Sequence, residues 1–186
     1  MADLPDTNPT AVTTPRETSL WSRRSRRLIL TGSLLLSLLV LWINFRLVIV
    51  KGTSMQPTFR TGDLLLVYKF AYRTTEPQRA DIVVARYRND LIVKRVVGLP
   101  GEEVAVQNGS LLINGIQNIE GHRVEPGELT IEKGKLLNGR FALLGGNRAV
   151  SVAEQIHAVV AKSDMVGKVI YSFGLRWPGP AIHTNI

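Results

Sequence analysis

Apolar and polar residues divide the chain into three textures. Residues 1–18 are rich in Pro, Thr and Asp and show no apolar period, which predicts a disordered tail. Residues 28–45, LILTGSLLLSLLVLWINF, then run 18 positions without a charge. A helix of that length just crosses a hydrocarbon core of about 30 Å. Beyond residue 46 the apolar runs shorten and become rich in Val, Ile and Leu, at 47–50, 64–68, 82–85, 91–97, 104–106, 111–113, 141–144 and 165–173. Turn residues separate them. Asn108-Gly109 and Asn114-Gly115 are dipeptides that favour type I′ hairpin turns, where both central residues take positive φ, and Asn138-Gly139 is a candidate third. Short strands joined by tight turns predict a mainly β, antiparallel domain behind a single N-terminal transmembrane helix. After residue 46 the one candidate helix is 152–160. Residues 121–135, polar and rich in Glu, read as a loop or a small β excursion, and 177–186, with two Pro, as an irregular tail.

Charge gives the apolar run an orientation. Arg23, Arg24, Arg26 and Arg27 precede it directly, and the positive-inside rule keeps such a cluster in the cytoplasm. The expected division is a cytoplasmic basic tail over 1–27, a transmembrane helix over 28–45 and an extracytoplasmic β-rich domain over 46–186. Trp42 near the outer end suits an interfacial anchor. A cleavable secretory signal also begins with basic residues, but this run is long for one, and Asn44-Phe45-Arg46 is not a small-residue cleavage site. A buried core helix is the other competing reading, disfavoured by apolar residues all round it and by the adjacent arginines.

The formal charge is +8. A basic balance fits nucleic acid or an anionic membrane surface, but no nucleic-acid motif accompanies it, so no nucleic-acid partner is expected. Cysteine is absent, which removes disulfides, thiolate zinc sites and cysteine nucleophiles together. His122, His157 and His183 are scattered without metal-ligand spacing, and neither a metal nor a cofactor is expected.

Two stretches carry candidate chemistry. In Gly52-Thr53-Ser54-Met55-Gln56-Pro57-Thr58, closed by Gly62-Asp63, a serine follows an apolar strand between a glycine and a proline. Gly52 permits positive φ, and Pro57 stiffens the loop. A stiff loop that presents a hydroxyl beside backbone N–H groups suits acyl transfer, although most serines in turns are turn residues only. In the second stretch, Leu91 to Gly98, a strand would set Ile92, Lys94 and Val96 on one face. Desolvation there lowers a lysine pKa, and a neutral amine accepts a proton. A solvated lysine on an edge strand is the plainer alternative. No Gly-x-Ser-x-Gly elbow and no phosphate-binding loop is present, and no motif points to a Ser-His-Asp triad.

Taken together, these stretches resemble the type I signal peptidases, the S26 family of Ser-Lys peptidases. Ser54-Met55-Gln56-Pro57-Thr58 with Gly62-Asp63 is similar to the family's nucleophile block, S-M-x-P-T…G-D. Arg79-Ala80-Asp81-Ile82-Val83-Val84 is similar to R-G-D-I-V, with Ala80 in place of Gly. Val93 to Glu102 resembles K-R-V-x-G-L-P-G-D, Gly145-Gly146-Asn147-Arg148 resembles the closing G-D-N-R, and Gly167-Lys168 the G-K or G-R that follows. The likeness covers roughly residues 46–173.

The resemblance implies an S26-type antiparallel β catalytic domain. It makes Ser54 the nucleophile, Lys94 the general base and the Ser54 N–H an oxyanion donor. Some relatives add a serine hydroxyl two residues before the nucleophile; here that position is Gly52, in the oxyanion-hole loop, so a second donor has to be backbone or another side chain. Ser151 falls where the family often has a serine that hydrogen-bonds the lysine. The implied substrates are signal peptides of exported precursors, cut after small residues at the plasma (inner) membrane, with Val50, Met55, Ile92 and Val93 as pocket walls and membrane lipids as further partners. The closing block departs from the pattern: Gly146 and Ala153 replace aspartates, and Gln155 replaces an arginine. Three alternatives follow: a dedicated processing peptidase for one substrate such as a conjugative pilin, a silent membrane-tethered binding module, and a self-cleaving repressor. The last would carry a DNA-binding helical domain where this chain has its apolar run.

Overall fold

The computed structural model describes residues 23–150 and 158–174. The expected tail 1–18, Ser151, Ala153, Gln155 and the stretch 177–186 lie outside the described residues. A helix, α1 (Arg23–Asn44), contains all but the last residue of the charge-free run, and none of its residues is buried within the protein. It is long and apolar enough to cross a membrane. It ends one residue earlier than expected because Phe45 opens the first strand, β1 (Phe45–Ile49).

Among the described residues the rest of the regular structure is two antiparallel sheets and a short 3-10 turn, Lys162–Asp164. Strands β2 (Leu64–Tyr68), β3 (Ile82–Tyr87), β4 (Asp90–Gly98), β5 (Glu103–Gln107) and β6 (Ser110–Ile113) fall where the apolar runs place them, as do β9 (Arg140–Leu144) and β11 (Met165–Phe173). Between these lie β7 (Ile116–Gln117), β8 (Ile131–Lys135) and β10 (Ala158–Ala161). The larger sheet has the order β1-β2-β11-β3-β4-β9-β10, and the smaller β7-β6-β5-β8. Asn108-Gly109 and Asn114-Gly115 both take positive φ at both residues, as type I′ turns require, and they join β5 to β6 and β6 to β7.

Two expectations change, and the reading of 121–135 as a loop or a small β excursion is resolved. Asn138-Gly139 is not a hairpin turn: only Gly139 has positive φ, and the flanking strands β8 and β9 belong to different sheets. The candidate helix over 152–160 gives way at 158–161 to strand β10, in which Ala-Val-Val-Ala pairs with β9 from Ala158↔Leu143 to Ala161↔Arg140. Its alternating burial, with Ala158 and Val160 inside and Val159 half exposed, is the period of a strand. The polar stretch 121–135 ends in β8, the edge strand that pairs with β5.

Each face of the large sheet buries its own core. Val83, Ala85, Ile92, Val96, Phe141, Leu143 and Val160 share one cluster, while Val50, Met55, Phe59, Leu65, Val67 and Val84 share another. One position in the framework is locally unfavourable. Ala80 has φ 73°, with its N–H on the Val96 carbonyl (2.9 Å) and its carbonyl accepting from Arg95 Nη1 (3.0 Å). A non-glycine residue there costs about 1–2 kcal/mol. Ala80→Gly returns that cost, less the greater entropy a glycine loses on folding. The expected result is a rise in melting temperature of about 2–4 °C, read by thermal unfolding in detergent.

Candidate active site

Ser54 sits in a loop stapled at both ends. Val50 N–H donates to Asp63 O (2.9 Å) and Gly62 N–H to Val50 O (3.0 Å), closing the loop at its base. Within it Gln56 N–H donates to Thr53 O (3.0 Å), Phe59 N–H to Met55 O (3.0 Å) and the Thr61 hydroxyl to Gly52 O (2.9 Å). Gly52 has φ 84°, and a Cβ added there would meet nothing within 4 Å, so glycine is required by the backbone rather than by space. Met55 and Phe59, both buried, anchor the loop in the core beside Val50. Ser54 itself is half-buried between these anchors.

Lys94 lies mid-strand in β4, opposite Val83 of β3 and between Ile92 and Val96. It is 3% exposed. The face predicted from the alternation of residues is the face observed: Val83, Ile92 and Val96 belong to one apolar cluster. Burial therefore pushes the ammonium down from its ordinary value to about 8. At pH 7 the free amine is then about 300-fold more abundant than for a solvated lysine.

The next residue, Arg95, points to the other face and is also buried. Its Nη2 lies 3.4 Å from Thr58 Oγ1, which ties the strand of Lys94 to the loop of Ser54. A second tie comes from β9. The ladder between β4 and β9 runs to the Arg95↔Leu144 pair, one position short of Lys94. The chain then leaves the ladder through Gly145 and Gly146 and reaches Asn147, whose N–H donates to Ser54 O (3.0 Å) and whose Nδ2 donates to Thr53 O (3.3 Å). Gly146 permits this close approach, since a Cβ there would stand 3.1 Å from the Gln56 carbonyl oxygen.

Of the four pocket candidates, Val50, Met55 and Val93 gather in the cluster under the Ser54 loop, whereas Ile92 lies in the cluster on the Lys94 face. Ser151, the candidate partner of Lys94, lies outside the described residues. Sequence reading passed over a group beside the site. Arg148, 1% exposed, donates through Nη2 to both oxygens of Glu120 at 2.7 and 2.8 Å, and His122 Nε2 stands 3.2 Å from Glu120 Oε2. Burial, with Arg95 and Arg148 adding to it, lowers His122 to about 4, so the ring is neutral at pH 7 and contributes an N–H. Nothing in the spacing of Glu120 distinguishes it from a surface glutamate.

The chain thus holds a rigid serine loop against a strand with a buried lysine, in an antiparallel β frame preceded by one long apolar helix. Comparison with known proteins gives the chain its family. The family model for signal peptidase, peptidase S26, matches residues 23–174. A probable signal peptidase I-2 of Synechocystis sp. is 30% identical over 141 residues, covering 72% of this chain and 63% of that protein. A signal peptidase I of Bacillus caldolyticus is 33% identical over 147 residues, covering 70% of this chain and 78% of that protein. A signal peptidase I crystal structure from Enterococcus faecalis shares 26% identity at a TM-score of 0.39, covering 51% of this chain and 97% of that one. The chain belongs to the signal peptidase family, peptidase S26.

Proposed function

We propose that this protein is a membrane-bound serine endopeptidase that removes N-terminal signal peptides from exported precursors, with Ser54 as nucleophile and Lys94 as general base. The observation that carries the reading is the burial of Lys94 on an apolar sheet face, beside a strand that leads directly to the clamp on Ser54. In the first step the neutral Lys94 amine takes the Ser54 Oγ proton as Oγ attacks the scissile carbonyl. The Ser54 N–H faces the developing oxyanion. Lys94 then passes the proton to the leaving amine, and water, deprotonated in its turn by Lys94, hydrolyses the acyl-enzyme. Val50, Met55 and Val93, gathered under the Ser54 loop, wall the pockets, and Ile92 packs instead on the face of β4 that carries Lys94. Side chains beyond small ones would clash there, and this limits cleavage to bonds after small residues.

Membrane attachment fits α1 and its arginines, with the N-terminus cytoplasmic and the β domain outside. The β domain also carries apolar side chains on its β1 and β11 strands: Leu47, Ile49, Ile170 and Tyr171 are each about half exposed. This exposure suits contact with lipid, where signal sequences end.

The test is cleavage of a precursor with an Ala-x-Ala site by the chain in detergent. Cleavage should follow the second Ala and vanish when either Ala becomes Phe. The active form is the free amine, so kcat/KM should rise about tenfold per pH unit below about 8 and level off above it. Cleavage indifferent to the Ala positions would refute signal-peptide specificity, and a rate flat between pH 6 and 8 would refute Lys94 as the base.

A further inference from the structure

The closing block of this chain lacks the carboxylate its family pattern has at position 146. Three buried charged or polar residues nevertheless converge beside the site: Arg95, Asn147 and Arg148. Arg95 follows Lys94 and reaches the Ser54 loop at Thr58. Arg148 follows Asn147, which holds the Thr53 and Ser54 carbonyls. Two buried guanidiniums without a counter-charge are costly, and each would drive its own segment toward solvent. The counter-charge comes from outside the closing block. Both oxygens of Glu120 accept from Arg148, and the same carboxylate opposes, through space, the burial that disfavours the Arg95 cation.

The segment that carries Glu120 is itself locked to the closing block. Glu125 N–H donates to Gly146 O and Arg148 N–H to Glu125 O, each at 2.9 Å, forming a short parallel bridge at Glu125↔Asn147. The glutamate is held within the fold by His122 and is 10% exposed at the side chain. Gly127 adds a reason for the tight contact, since a Cβ there would overlap the Arg148 carbonyl at 2.1 Å.

We propose that Glu120 is the positioning residue of this active site, supplying from the 120–125 segment the carboxylate that Gly146 lacks, and fixing through Arg148 and Arg95 the backbone of Ser54 and the strand of Lys94. The role rests on the Ser54–Lys94 reading above. It acts on geometry rather than on substrate: losing it leaves binding intact and misplaces the nucleophile relative to the base, and misplacement by about 1 Å costs on the order of 10²-fold in rate.

The experiment compares wild type, Glu120→Gln and Glu120→Asp on the Ala-x-Ala precursor, well below each variant's melting temperature, with rates taken per folded molecule. Glu120→Gln keeps the shape and removes the charge; kcat should fall at least about 30-fold with KM within threefold. Glu120→Asp keeps the charge on a shorter stem and should recover part of that loss. A Glu120→Gln kcat within threefold of wild type, even at a lowered melting temperature, would make Glu120 a purely structural residue and overturn the proposal. If Glu120→Gln does not fold, Glu120→Asp decides: a kcat at least fivefold below wild type supports positioning, and a wild-type kcat overturns it. Wild type and Ser54→Ala run alongside. Failure of wild type to cleave, or cleavage by Ser54→Ala, strikes the catalytic reading itself and is thereby distinguished from a failure of Glu120.

Discussion

A Lys94→Met variant is expected to lose precursor cleavage by about 10³-fold and, at the same time, to become more stable. Both effects have one cause. Burial depresses the lysine from 10.5 to about 8, so the folded state disfavours the charged form. Below pH 8 the unfolded chain holds a proton that the folded chain holds at a cost of about 3 kcal/mol. The sign follows from linkage: the cost is full below the folded value, shrinks as pH rises from about 8 to 10.5, and is gone above that. Methionine has nearly the same length, carries no charge and suits a wall of Val83, Ile92 and Val96. The gain in stability should therefore be largest near neutral pH and fade toward pH 10. Thermal unfolding at pH 7 and pH 10 beside a cleavage assay checks both halves. An inactive variant with no pH-dependent gain would show that Lys94 is solvated in the folded protein. An active one would remove it from the mechanism.

Ser54→Ala is expected to lower kcat by on the order of 10⁴- to 10⁶-fold, with stability within about 0.5 kcal/mol of wild type. The loop does not depend on the hydroxyl for its shape. It is closed by Val50, Gly62 and Asp63 backbone bonds, anchored by Met55 and Phe59, and clamped by Asn147 through the Ser54 carbonyl, all of which the substitution leaves in place. The variant should still bind a precursor and should not form an acyl-enzyme, which mass spectrometry of the intact protein after rapid acid quench would reveal in the wild type. Residual cleavage above about one part in 10³ would assign the nucleophile elsewhere. Together the two variants separate the roles: one removes the attacking oxygen without touching the fold, and the other removes the base and relaxes the fold.

Much of the architecture was legible in the sequence because it depends on local patterns. An uninterrupted apolar run makes a helix whatever follows it, and β-branched runs between Asn-Gly turns make hairpins whose φ values are dictated by those two residues. The face that Lys94 shares with Ile92 and Val96 was legible for the same reason, since the side-chain period of a strand is two; its burial was not, because a solvated lysine on an edge strand fits the same pattern, and the flanking of β4 by β3 and β9 decides it. Where the local signal was ambiguous the reading failed. Residues 158–161 are short enough for either period, and pairing with β9 made them a strand. Asn138-Gly139 carries hairpin chemistry but joins strands of two different sheets, so the turn adapts with one positive φ rather than two.

What the sequence by itself determined is therefore most of the elements, the helix in front of them and two candidate residues for the chemistry. Only the tertiary structure decided how the two are tied. Asn147 reaches Ser54 because β9 leaves the ladder beside Lys94, and Thr58 of the same loop comes within reach of Arg95, the residue after Lys94. It also decided which carboxylate neutralises the buried arginines. Position 146 lacks one, and Glu120, in a stretch without any motif, provides it through a fold-back that no spacing rule encodes. The physical reason is that burial and counter-charge are properties of neighbours in space, and a linear pattern reports those only when they are also neighbours along a strand or helix.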